Sequence, residues 1–334
     1  MRTVAAAITL ALAGCATAPH GPAAAPACEL SAEDHAWIDG ALSAWRFTAN
    51  EITGATAARP FDAVFFDDDC VLTSENAFAA ANAADVAWTA TPHTGEIMLP
   101  DGQLMPAGVT SFASAEEGRA FFVMSTPSVW RAAGVSNEAL GLEAMMTAVL
   151  LHEGAHVAQF GAYGPRITAI VAASPLPDDD ISDDMVQNLF AENAEFAASV
   201  ERETELLIQI TQTQDNAEAR RLAREARALM SARHARWFVG ENAYLAEAED
   251  TWLTLEGSGQ WVAYQWLVHP AGGGVAADVA MANFARRGRW WSQKQGIALA
   301  FAVDRLARFD WKRHVFGDGS QTLVQMLDAA LAVP

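Results

Sequence analysis

The chain has 334 residues, 51% of them hydrophobic, with 11 Trp and 16 Phe; that is ample for a packed core and excludes disorder over most of the length. Such a length allows one large domain or two ordinary ones. A formal net charge of −20 argues against a nucleic-acid partner, because phosphate backbones are bound by clustered Lys and Arg.

Residues 1–14 read as an export signal: Arg2 supplies a positive start, and Val4 to Ala13 form an apolar run too short to remain across a bilayer. The run ends in Leu12-Ala13-Gly14-Cys15, which resembles the lipobox of bacterial lipoproteins. The resemblance implies cleavage before Cys15, lipid on its sulfur and on the new amino terminus, and a membrane anchor. Ala16 after the cysteine, in place of Asp, fits members that move on to the outer membrane, facing the periplasm. The alternative is an ordinary secretory signal with a chance cysteine. Residues 15–30, rich in Ala and Pro, then comprise the lipidated cysteine and a tether. Cys28 and Cys70 remain; in an oxidising envelope they can pair, or they stay as two buried thiols.

A mixed α and β part is expected over 31–134. Ser31 caps a helix running to about Asn50, with Trp37, Leu42, Trp45 and Ile52 on its buried side. Phe61 to Phe66 reads as a strand and Ser74 to Ala87 as a second helix. The Gly- and Pro-studded stretch from Trp88 to Met124 fits short β segments, among them Glu96 to Leu99 and Ala120 to Met124.

Helical patterns dominate 135–334, with helices at about 137–161, 183–211, 216–238, 242–268, 276–286, 291–309 and 320–332. Gly161, Gly164 and Pro165 should close the first. Asp178 to Asp180 lack the Gly and distal Glu of a calcium loop and read as solvated. The row Arg220, Arg221, Arg224, Arg227, Arg233 and Arg236 reads as a salt-bridged, solvated face more than as a grip on anionic substrate. The expected class is α+β, mainly helical: a small part with a short sheet, then a helical bundle.

The chemistry concentrates in Leu151-His152-Glu153-Gly154-Ala155-His156. Residues four apart on a helix differ by about 40° around the axis and about 6 Å along it, so His152 and His156 can put two imidazoles on one metal, with zinc the expected ion. Glu153 lies beside the first ligand without being one, where a carboxylate can act as general base toward water. Two satisfied core histidines with a buried Glu are the bland alternative, a costly one if unpaired. A catalytic zinc usually has three protein ligands. The metzincin pattern would put Gly at 159 and His at 162, where Gln159 and Ala162 stand, so a carboxylate from elsewhere is expected.

Glu256, in Leu255-Glu256-Gly257-Ser258-Gly259-Gln260-Trp261, is the favoured third ligand, and Glu192 and Glu195 are the rivals. With this segment the chain resembles gluzincin-type zinc metallopeptidases, in which a distal Glu-Gly pair followed by small residues supplies the third ligand. The resemblance covers the His152 and Glu256 regions and is faint between them. It implies a zincin-like fold in which a sheet precedes the metal helix and its edge strand holds an extended peptide; Ala120 to Met124 is a candidate for that strand, with an ordinary core strand as the equal alternative. It implies a zinc-dependent hydrolase, most plainly a peptidase, acting on a peptide or protein in the cell envelope. The rival readings are a binding or assembly lipoprotein without turnover and a hydrolase of non-peptide amides. The small residues let two helices approach, and Gln260, one turn after Glu256, is placed to hydrogen-bond a ligand. Tyr163, Tyr264, His269 and Arg289 are candidates to stabilise a developing oxyanion. Trp290-Trp291 reads as core or membrane-facing packing.

Overall fold

A computed structural model of the chain describes residues 28–54, 61–116, 119–177, 180–287 and 290–333. The export signal, Cys15, most of the tether, Asp178, Asp179 and Arg289 lie outside the described residues.

Helix α1, Ala32–Phe47, starts where the Ser31 side chain accepts the Asp34 N–H, and it runs into a π-helical turn, Thr48–Thr53, that Gly54 ends at φ +63°. Trp37, Leu42, Trp45 and Ile52 are all buried, as their spacing predicts. The strands are β1 Asp62–Phe66, β2 Cys70–Ser74, β3 Thr89–Pro92, β4 Glu96–Met98, β5 Leu104–Pro106, β6 Ser111–Glu116 and β7 Arg119–Ser125. Five of them form one sheet in the order β3-β2-β1-β7-β6, with β1 and β7 parallel and the other pairs antiparallel; β4 and β5 form a separate hairpin. Alternate residues face opposite sides of a strand. Ala63, Phe65, Phe122 and Met124 join the main core, whereas Val64, Phe66, Phe121 and Val123 pack with Ile97 and Leu99 of the hairpin region. Both faces are covered, which is why β1 and β7 are continuously apolar.

That double burial decides between the two readings of Ala120 to Met124 in favour of a core strand. Ala120 to Met124 lies inside the sheet between β1 and β6, and the edge is β6. The helix expected over Ser74 to Ala87 is absent. Asn76 bonds the Ala87 N–H and the Asp85 carbonyl, and Asn82 caps a single turn at Ala83–Asp85. Side chains that bond local backbone in this way compete with helix formation. Cys28 and Cys70 form a disulfide with Cα atoms 5.5 Å apart, joining the start of the described chain to β2.

Among the described residues ten further α-helices follow: α2 Pro127–Ala132, α3 Leu142–Ala173, α4 Met185–Phe190, α5 Ala194–Gln212, α6 Asn216–Trp237, α7 Leu245–Val268, α8 Ala277–Arg287, α9 Trp291–Leu306, α10 Trp311–Val315 and α11 Leu323–Ala332. Helix α3 does not stop at Pro165; it carries the proline inside a 32-residue helix. The far half has its own anchors: Tyr163 donates to the Gln321 carbonyl at 2.7 Å, Arg166 pairs with Glu247, and Ile170 is buried in a second core with Phe196 and Phe238. Packing there outweighs the lost N–H. The helix expected over 183–211 is broken into α4 and α5, because Asn193 turns its side chain to the N–H groups of Glu195 and Phe196 and starts a new helix. The main core runs from the sheet through α1 and α3 into α7, α9 and α11, so the two parts of the chain share it.

The arginine row of α6 is salt-bridged as expected: Arg221 pairs with Glu218 and Glu225, Arg227 with Asp328, and Arg236 with Glu195. Arg233 departs from it. It is fully buried, 2.8 Å from Glu203 and from Glu249, and His234 lies 2.6 Å from the other Glu249 oxygen. Burial alone would raise the Glu249 carboxyl, but Arg233 and His234 hold it down at about 2. Its neighbour Asp250 lacks such partners; one oxygen is buried without a hydrogen bond, and burial pushes its carboxyl up to about 7. Between the ordinary value of 3.8 and about 7 the folded chain therefore holds a proton that the unfolded chain has lost, and stability falls as pH rises through that window. Asp250→Asn should stabilise the chain by about 2 kcal/mol at pH 8, allowing for water penetration, and give no gain below pH 4. Denaturant titrations at the two pH values check this; a gain of the same size at both would contradict it.

Candidate metal centre

The segment His152-Glu153-Gly154-Ala155-His156 lies in the first half of α3, which passes beneath the sheet edge at β6 and against α7. Gly154 is required where the helix crosses α1, since a Cβ there would stand 2.6 Å from the Trp45 ring. The imidazoles of His152 and His156 converge with Nε2 atoms 2.9 Å apart. Glu256, midway along α7, brings Oε2 to 3.3 Å from His152 and Oε1 to 3.1 Å from His156. The three side chains are almost wholly shielded from solvent, and their ligand atoms lie within 4.8 Å of one another.

A tetrahedral ion with bonds of about 2.0–2.1 Å separates its ligand atoms by about 3.3 Å. The observed separations need to open by only a few tenths of an ångström, so this buried group can hold a metal ion. The electrostatics favour a cation at the same point. Burial would raise Glu256, but the charges and hydrogen bonds of His156 and His152 hold it well below the usual carboxylate range. Burial would lower His156, yet Glu256, with Glu153 and Gln159, pushes it up to about 9. Two carboxylates beside two imidazoles call for positive charge, which a divalent ion supplies without a proton.

Small residues of α7 act in two directions. A Cβ on Gly259 would come within 2.7 Å of His152 Nδ1, and Ser258 accepts from Gln159 at 2.7 Å, so both let α7 approach α3. Gly257 faces away, toward Gly296 of α9. Gln260 lines a cavity beside His152 and Glu153 and bonds neither ligand, contrary to the expected role.

Glu153 stands outside the ligand set. Its carboxylate accepts the Ala113 N–H of β6, and its burial pushes it up, with His152 and His156 pulling part of the way back. This contact links the expected general base to the edge strand. It was not legible beforehand, because Ser111-Phe112-Ala113-Ser114-Ala115 is too rich in small residues to read as a strand; those residues make room for α3. Asp183 was missed as well. It sits within electrostatic reach of Glu256 and His156, and burial, reinforced by Glu256 and Asp184, raises it to about 7. Nothing in the acidic run distinguished it.

The rival ligands are not at the centre. Glu192 is exposed in the break between α4 and α5, and Glu195 is exposed and paired with Arg236. Of the oxyanion candidates, Tyr163 lines the cavity that holds His156 and Glu256, and Tyr264 and His269 do not. Tyr163 gives its hydroxyl proton to the Gln321 carbonyl, Tyr264 packs edge-on between Phe284 and Phe301, and His269 lies on Phe47 with Nδ1 accepting from Ala271. Trp291 stacks on Phe196 in the second core.

Two cavities flank the centre. One of about 180 Å³ is walled by His152 and Glu153, and one of about 280 Å³ by His156, Glu256 and residues Ala113 to Ala115 of β6. No family model matches the sequence, and no curated protein or solved structure shows significant similarity to it.

Proposed function

We propose that the chain is a zinc-dependent hydrolase of the gluzincin type, most plainly a peptidase, with His152, His156 and Glu256 as ligands and Glu153 as general base. The observation that carries this reading is the convergence of three buried ligand atoms from two helices beside a second carboxylate, Glu153, that stands outside the ligand group. Of the divalent ions, zinc best suits a four-coordinate site of two imidazoles and one carboxylate. Zinc, when bound, supplies Lewis acidity that polarises a carbonyl and makes water acidic near neutral pH.

The chain's own residues supply the rest. Glu153 takes the proton from the attacking water at its carboxylate and hands it to the leaving nitrogen, one group serving as base and then as acid. Its pKa, raised by burial, moves toward the operating pH, where a proton shuttle works best. Among the described residues β6 is the edge strand of the sheet and lies over the centre, so an extended peptide can pair along it and bring its carbonyl to the ligand group. A zincin-like arrangement of sheet edge and metal helix accords with this. Export and lipid anchoring at Cys15 rest on the Leu12-Ala13-Gly14-Cys15 segment, and the Cys28–Cys70 disulfide suits an oxidising compartment.

Elemental analysis and peptide hydrolysis by the purified chain test the proposal together. One zinc per chain is expected, with hydrolysis lost on chelation and restored by zinc. Glu256→Gln should weaken zinc binding at least about a hundredfold, because removing a ligand costs more than removing a group that orients one. A wild type that takes up no zinc under metal-replete conditions would sink the enzyme reading. Zinc uptake with no cleavage across a broad peptide library would favour a binding lipoprotein.

A further inference from the structure

We infer that the cavity beside Glu153 is a side-chain subsite selecting a neutral residue with an apolar stem and a carboxamide tip, glutamine above all, next to the bond cleaved. The inference rests on the peptidase reading above. With His152 and Glu153 on its wall, anything filling the cavity lies against the reacting groups. Its volume is about 180 Å³. A void of about 150 Å³ accommodates benzene, so there is room for one side chain of glutamine or methionine size.

Met145, Ala148 and Val149 of α3 face Ala263 and Leu267 of α7 across it, a lining that desolvates an aliphatic stem. The polar groups set the choice. Three carboxamides reach the cavity from three helices: Gln260 of α7, Asn283 of α8 and Gln293 of α9. Asn283 is committed, accepting from Asn137 at 2.8 Å and donating to the Val279 carbonyl at 3.1 Å. Gln260 and Gln293 are half-buried and make no hydrogen bond among the described residues. Each offers both a donor and an acceptor, and a guest carboxamide carries both in return. Glu153 is the only carboxylate on the wall, and no Lys or Arg lines it, among the described residues. A guest carboxylate would therefore lose water, meet no cation and be repelled by Glu153. A purely apolar guest would leave the two amides unpaired.

The test is ligand-observed NMR titration of the full chain with N-acetyl amides of glutamine, methionine and glutamate, run without added zinc and read as affinity, alongside cleavage of peptides carrying the same residues beside the scissile bond. Glutamine should bind about tenfold more tightly than glutamate and several-fold more tightly than methionine. Gln260→Leu and Gln293→Leu should reverse the order of glutamine and methionine. Equal binding of glutamine and methionine to the wild type overturns the subsite, and so does an unchanged order in folded variants. If the glutamine preference holds in binding while no peptide is cleaved, the pocket stands and the peptidase reading fails.

Discussion

Glu153→Gln should leave zinc content and the thermal transition where they are and lower peptide hydrolysis by about a thousandfold, within the range for losing a positioned general base. The substitution is close to isosteric. The glutamine oxygen can still accept the Ala113 N–H, so β6 stays in register with α3. What disappears is the group that accepts a proton, and none of the ligands can replace it, since His152, His156 and Glu256 are turned toward one another. Among the described residues, Asp183 is a further, half-buried carboxyl within electrostatic reach of the centre. If Glu153→Gln keeps activity within tenfold of the wild type, the base lies elsewhere, and Asp183→Asn becomes the informative variant. The useful comparison is kcat against KM: loss of a base lowers kcat with little change in KM, whereas a displaced β6 would also raise KM.

Gly257→Ala should destabilise the chain by about 3 kcal/mol or more, the largest stability effect expected of a single methyl here. An added Cβ would stand 2.3 Å from the carbonyl oxygen of Gly296 and 2.4 Å from its carbon. Both obstacles are backbone, so relief requires α7 and α9 to move apart along a contact that includes the buried Arg233 cluster through Gln295, which donates to Glu203 at 2.9 Å. Glu256 is the preceding residue, so zinc affinity should fall with stability. Gly164→Ala is the control: nothing lies within 4 Å of its Cβ position, and within α3 alanine should stabilise by up to about 1 kcal/mol. Thermal unfolding of the pair decides it; a Gly257→Ala midpoint close to wild type would remove the close-contact argument.

The contrast between these glycines shows how far the chain could be read beforehand. His152 and His156 were legible because helical periodicity alone fixes their relation, and the ends of α6, α7 and α8 followed from ordinary periodicity. Glu256 was legible through its glycines, though for reasons only partly right: Gly259 serves His152, while Gly257 serves α9. Long-range packing hid the rest. Pro165 is a stop signal that Tyr163 and Ile170 override from outside the helix. Asn76 and Asn82 hold a loop where composition suggested a helix. Strand β6 disguises itself with alanine and serine because α3 runs close by, and Arg233 differs from its five exposed or part-exposed companions only in what surrounds it.

The Cys28–Cys70 bond also sets a mechanical load path. The 42-residue separation between the two cysteines encloses all of α1 and β1. Tension applied to the segment preceding Cys28 therefore passes through sulfur into β2, which is clamped between β1 and β3, and bypasses α1 altogether. Trp45, set against Gly154 of α3, is out of the line of force. With the bond reduced, the same pull would reach α1 first and lever that ring off the helix bearing His152 and His156.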